Sequence, residues 1–141
     1  MPIAGRCHCG NIAYTLHWPD DAATIPARAC GCAFCRKHGN VWTAHAGAAL
    51  VVTVGDASRV SRYAFETKTA DFHVCAICGV VPLVTSTIDG HTYAVVNVNT
   101  FEDVDPARLA HASVSFDGES EAARLARRSR NWIGDVKFVA G

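Results

Sequence analysis

Apolar and polar positions alternate along much of the chain. In IAYTLHW (12–18), Ile12, Tyr14, Leu16 and Trp18 are interleaved with smaller or polar residues, the period-two pattern of a half-buried strand. Seven further segments rich in β-branched or aromatic residues follow at short spacing. They are VWTAHA (41–46), ALVVTVG (49–55), VSRYAFE (60–66), DFHVC (71–75), VVPLVTSTI (80–88), HTYAVVNVN (91–99) and ASVSF (112–116). Turn-forming clusters such as WPDD (18–21), VGDAS (54–58) and IDGH (88–91) separate them. Many short strands punctuated by turns predict an antiparallel all-β fold.

Helical patterning is confined to two places. DPARLA (105–110) fits a single turn, with Asp105 as N-cap and Pro106 at the first helical position. GESEAARLARRSRN (118–131) carries its acids early and its bases late, which matches the helix dipole. The arginines of that segment, Arg124, Arg127, Arg128 and Arg130, suggest either an anion or RNA contact or a solvated face. Ordinary charge patterning favours the solvated face.

With no repeat, low-complexity tract or dividing linker, residues 1–141 are expected to form one domain, long enough to bury its own core. The formal net charge is zero, which gives no support for nucleic acid or a membrane surface as partner. MPIAGRCHCGN at the start lacks the basic segment and apolar run of a signal peptide. The longest stretch without Asp, Glu, Lys or Arg, 38–55, contains two histidines, an asparagine and three glycines, so no membrane span is expected. A cytoplasmic location follows, where clustered cysteines read as metal ligands or redox groups rather than disulfides.

Seven cysteines change this picture most. They fall into a C-x-C at Cys7 and Cys9, a C-x-C-x-x-C at Cys30, Cys32 and Cys35, and a C-x-x-C at Cys75 and Cys78. Such spacings let neighbouring sulfurs converge on one ion, and Gly10, Gly31 and Gly79 supply the backbone freedom that tight turns need. The two pairs together make a closed site of four thiolates for a structural zinc. Three cysteines remain. They would either hold a catalytic zinc with one position open, or join a histidine in a second structural site. His38 is nearest in sequence, with His8, His45 and His73 also available. Seven thiolates holding two zinc ions would leave the folded chain three charges negative. An odd thiol argues against disulfides, and the strands around Cys75 lack the βαβ context of a redox C-x-x-C.

GRCHCGNIAY (5–14), CGCAFCRKHG (30–39) and VCAICGV (74–80) together resemble the glutathione-dependent formaldehyde-activating enzyme family, which includes centromere protein V. A weaker likeness continues through RNWIGDVKF (130–138). The resemblance implies a zinc-stapled antiparallel β-tent with one or two short helices and two zinc ions per chain. It assigns Cys7, Cys9, Cys75 and Cys78 to a structural zinc, and Cys30, Cys32 and Cys35 to a catalytic zinc that ligand can reach. Gly31 stands where family members commonly carry His.

The implied activity is that of a zinc-dependent carbon-sulfur lyase acting on a thiol and an aldehyde, as in S-(hydroxymethyl)glutathione synthesis. Arg36 and Lys37 would offset thiolate charge or stand as plain surface cations, and His38 would carry a proton or be an ordinary surface histidine. A non-catalytic zinc module for protein or nucleic acid, and a lyase for another small thiol, are the rival expectations. The loops WPDDAATIPA (18–27) and NTFEDVDPA (99–107) are expected to decide between substrates.

Overall fold

The structure is a computed structural model that describes residues 1–19 and 24–140. Among the described residues, eleven strands form two sheets. The smaller sheet runs in the order β1 (Pro2–Arg6), β2 (Ile12–His17), β5 (Ala49–Val54), β11 (Asp135–Ala140). The larger runs β10 (Leu109–Val114), β3 (Ile25–Cys30), β4 (Val41–Thr43), β9 (His91–Asn97), β8 (Leu83–Ile88), β7 (Asp71–Cys75), β6 (Val60–Tyr63). Pairing is antiparallel throughout, except that β10 runs parallel to β3 and β11 parallel to β5 at the sheet edges. The all-β reading of the sequence therefore holds.

One core joins the two sheets. The alternation in β2 turns Ile12, Tyr14 and Leu16 inward, and Leu50 and Val52 of β5 lie beside them. Ile25, Leu83, Val84 and Val96 meet them from the larger sheet. Each fully buried aliphatic side chain contributes about 1.5–3 kcal/mol of transfer free energy. Four successive residues of β8, Leu83 to Ser86, are all buried, as in a central strand covered on both faces. Its hairpin to β9 turns at Asp89 and Gly90, whose φ angles of 51° and 78° suit the two-residue turn that follows strand twist.

Three strands and one helix were not legible in the pattern. β1 (PIAGR) and β3 (IPARAC) contain Pro, Ala, Gly and Arg, residues of low strand preference, and their strand form comes from register with β2, β4 and β10. The expected loop 18–27 thus ends in strand from Ile25, while its residues 20–23 lie outside the described residues. β11 falls in the stretch that carries only the weaker family likeness; it is an exposed edge strand held by β5. The unpredicted helix α1 (Ala33–His38) is six residues long, with Gly39 in the left-handed region closing it.

The two expected helical segments are present. Asp105 caps a 3₁₀ turn at Pro106–Arg108, although Leu109 and Ala110 already belong to β10. Helix α2 (Glu121–Asn131) starts where the Ser120 hydroxyl accepts the Ala123 N–H at 3.1 Å. Just beyond it, Ile133 exchanges two backbone hydrogen bonds with Ala94 of β9, at 2.9 and 3.0 Å. That exchange pins the end of α2 over the larger sheet.

Gly5 is opposite Tyr14 in the β1–β2 register, and a methyl group at Gly5 would overlap the Tyr14 ring. The Tyr14 hydroxyl is bonded to Thr100 Oγ1 at 2.8 Å and fixes the ring in place. Gly5→Ala is therefore expected to cost about 1–3 kcal/mol or more through overpacking. Tyr14→Phe, which removes only the hydrogen bond, should cost about 1 kcal/mol. Urea denaturation of both variants checks the order.

Candidate metal centres and the adjoining pocket

Two knuckles of the same build bring the first cluster together. Cys7 follows β1, and the chain turns back through Gly10 (φ 86°), whose N–H donates to the Cys7 carbonyl at 3.1 Å. Cys75 ends β7, and the chain turns through Gly79 (φ 83°), whose N–H donates to the Cys75 carbonyl at 2.8 Å. Cys9 Sγ lies 3.8 Å from Cys7 Sγ and 3.5 Å from Cys75 Sγ, and all four sulfurs of Cys7, Cys9, Cys75 and Cys78 fall within 4.8 Å of one another. A tetrahedral zinc with bonds of about 2.3 Å spaces its sulfurs about 3.8 Å apart. The cluster fits such an ion, and the cysteines are free thiols.

Cys30, Cys32 and Cys35 form the second cluster, again with sulfurs within 4.8 Å. Cys30 ends β3, Cys32 caps α1 and accepts the Cys35 N–H at 3.4 Å, and Cys35 lies on the helix itself. Trp42 Nε1 donates to Cys35 Sγ at 3.3 Å. Unlike the first cluster, these three sulfurs line a cavity of about 360 Å³, within the size range of small-ligand sites. Phe65, Phe72, Phe116 and Trp132 supply aromatic walls, and Arg28, Arg124, Arg127 and Arg128 supply cations.

The thiols share protons unevenly. In the second cluster, a hydrogen bond from Cys35 holds Cys30 down at about 6, and that same bond, with burial, pushes Cys35 up. Burial also raises Cys32. In the first cluster, burial raises Cys7 to about 12. Burial acts to raise Cys78 too, but hydrogen bonds from Val80, Cys9 and the neighbouring thiols outweigh it and bring it to about 6. Sulfurs packed this closely cannot all ionise without a cation among them, so both groups have the chemistry of metal ligands.

The family model for glutathione-dependent formaldehyde-activating enzyme matches residues 2–116. The chain belongs to that family. The match contains all seven cysteines and stops short of α2. A crystal structure of a Rhodobacter sphaeroides protein is similar, with a TM-score of 0.53 and 28% identity, covering 73% of this chain and 91% of that one. No curated protein matches the chain. Family membership supports a formaldehyde-activating, glutathione-related function, and no helix is long and apolar enough to cross a membrane.

Among the described residues, no histidine joins the three-sulfur cluster of this formaldehyde-activating-type chain. His38 is exposed at the end of α1, its ring 4.5 Å from that of Phe34. His45 packs on Trp18 and accepts the Gly47 N–H, and His8 is exposed. His73 is buried, bonded to Thr85 Oγ1 at 2.7 Å and stacked on Phe138. Arg36 and Lys37 are exposed and do not line the cavity.

The α2 arginines require a correction. Arg130 is exposed as expected, but Arg124, Arg127 and Arg128 face the cavity instead of solvent. Their i, i+3, i+4 spacing is the signal that could have found them, because it puts the three on one face of the helix. Charge alone hid it, since a basic face is usually a wet one.

Two outcomes are expected from these features. Metal analysis should return two ions per chain, falling to one in both Cys7→Ser and Cys32→Ser. Only Cys7→Ser should lower the unfolding temperature sharply, because it breaks the cluster that ties β1 to β7. The second outcome concerns His73, which burial holds at about 4, below its ordinary value of 6.5. The unfolded chain then binds the extra proton first, so this contribution is whole above pH 6.5 and is lost as pH falls towards 4. The loss amounts to about 3 kcal/mol. The difference in urea stability between the protein and His73→Gln should shrink over that window.

Proposed function

We propose that the chain is a zinc-dependent carbon-sulfur lyase-type enzyme acting on the adduct of a small thiol and an aldehyde, as in S-(hydroxymethyl)glutathione formation. The observation that carries this reading is the contrast between the clusters: four converging sulfurs in one, three sulfurs facing a cavity in the other. Cys7, Cys9, Cys75 and Cys78 would hold a structural zinc, and Cys30, Cys32 and Cys35 a catalytic one. When bound, a zinc held by Cys30, Cys32 and Cys35 would supply a soft Lewis acid suited to a substrate sulfur.

The chain's own residues do the rest. Trp42 Nε1–H orients Cys35 and withdraws charge from its sulfur. Phe65, Phe72 and Phe116 keep water from the reacting pair. Arg124, Arg127 and Arg128 of α2, the first two paired with Glu66 and Glu119, place cations beside the three thiolates and the incoming substrate. In the synthetic direction a carbon-sulfur bond forms as the carbonyl π bond breaks. The proton lost by the thiol equals the one gained by the carbonyl oxygen, so no external acid is consumed. Seven free thiols suit a reducing, cytoplasmic setting. A core shared by both sheets suits a single domain over residues 1–141.

With cobalt in place of zinc, glutathione should shift the thiolate charge-transfer and ligand-field bands. Formaldehyde added next should be consumed faster than with glutathione alone, and Cys32→Ser should abolish the difference. A spectrum that no thiol perturbs would mean a filled fourth position and would overturn the enzyme reading in favour of a non-catalytic zinc module. A response to another small thiol but not to glutathione would keep the lyase and change its substrate.

A further inference from the structure

Among the cations of the cavity, Arg128 is set apart by what surrounds it. Arg124 is paired with Glu66 at 3.2 Å and Glu119 at 3.4 Å, and Arg127 holds both Glu119 oxygens at 3.0 Å. Among the described residues, Arg128 makes no such pair. Its Nη1 donates to the hydroxyls of Thr69 at 2.8 Å and Ser86 at 3.2 Å, and its Cζ lies 5.0 Å from the Trp132 ring centre. Its Nε is buried with no hydrogen-bond partner among the described residues, and the residue is only 7% exposed. Thr43 Oγ1, on the wall of the same cavity, is likewise buried and unpartnered.

Glu119 is the acid that acts on Arg128, and it does so without pairing with it; a buried cation that makes no ion pair is costly unless something supplies the missing charge. Burial and the neighbouring Arg127 and Arg124, opposed in part by Glu119, lower the Arg128 pKa to about 10, so the guanidinium still carries its proton at neutral pH. Arginine presents parallel N–H donors that suit a carboxylate. The cavity thus offers three converging sulfurs and, on the same wall system, a planar cation with an unused donor.

We infer that Arg128 is a specificity-determining residue that anchors a carboxylate of the thiol substrate, so that the site selects small thiols bearing a carboxylate. The inference rests on the reading of Cys30, Cys32 and Cys35 as a zinc site open to a thiol. It goes beyond the family assignment, because α2 lies outside the residues that the family model matches. Substrate choice then resides in the C-terminal helix, in addition to the loops that the cysteine motifs leave free.

Calorimetric titration of the zinc-loaded protein with 3-mercaptopropionate, its neutral amide and glutathione tests this. The acid should bind on the order of ten-fold or more tightly than the amide, the worth of a charge-assisted hydrogen bond. That preference should vanish in Arg128→Met and survive in part in Arg128→Lys. The unfolding temperature of Arg128→Met should be unchanged or higher, since the variant removes an unpaired buried charge, whereas a purely structural arginine would leave it lower. Equal binding of acid and amide to the wild-type protein would overturn the inference while leaving the thiol site standing. The same holds for a preference that persists in a folded Arg128→Met. Should Arg128→Met fail to fold, Arg128→Lys decides: a preference clearly smaller than that of the wild-type protein supports the inference, and one equal to it overturns it. If none of the three thiols binds, the reading of the site as thiol-accepting fails, and this inference with it.

Discussion

Four thiol sulfurs drawn from two sheets must lie within 4.8 Å of one another, and much of the architecture follows from that constraint. Cys7 and Cys9 come from the smaller sheet, directly after β1, and Cys75 and Cys78 come from the end of β7 in the larger one. The chain separation between Cys9 and Cys75 is 66 residues, so an ion held there would close a long loop and offset a large conformational entropy. Each sulfur pair depends on a glycine in the left-handed region to turn the chain back on itself. Without those turns the thiols would point apart.

The three-sulfur cluster obeys a different logic. Its cysteines belong to the junction of a strand and a short helix, which spreads them over one end of β3 and the first turn of α1. The larger sheet forms one side of the space in front of them, and α2 forms another. Aromatic rings, four guanidinium groups and the carboxylates of Glu66 and Asp117 line this space together. Glu119 holds two of the arginines in position through short ion pairs and is itself kept ionised by them. The pocket is therefore an electrostatic site built by one helix, opposite a metal-ligand site built by a strand–helix junction.

Metal-binding potential and local fold character were readable from residues alone. Cysteine spacing partitioned the seven thiols into four and three because neighbours two or three positions apart can reach a common ion whatever the surrounding fold. Alternation marked eight strand segments, and Ser120 and Asp105 each capped a helical turn within the expected ranges, since both signals are local. β1 and β3 were missed for the complementary reason. Their residues have little strand preference of their own, and hydrogen bonding to distant partners decides their conformation.

Tertiary structure alone decided which charges are solvated. Arg124, Arg127, Arg128 and Arg130 are chemically alike, yet the docking of α2 over β8, secured by the Ile133–Ala94 exchange, buries the first three to different depths and leaves the last in water. It also decided that no histidine stands at the three sulfurs among the described residues, although His38 is only three positions from Cys35. Helical geometry carries that side chain onto Phe34, away from the cluster. Sequence proximity determines which groups can share a turn; the direction in which each one faces depends on packing between segments far apart in the chain.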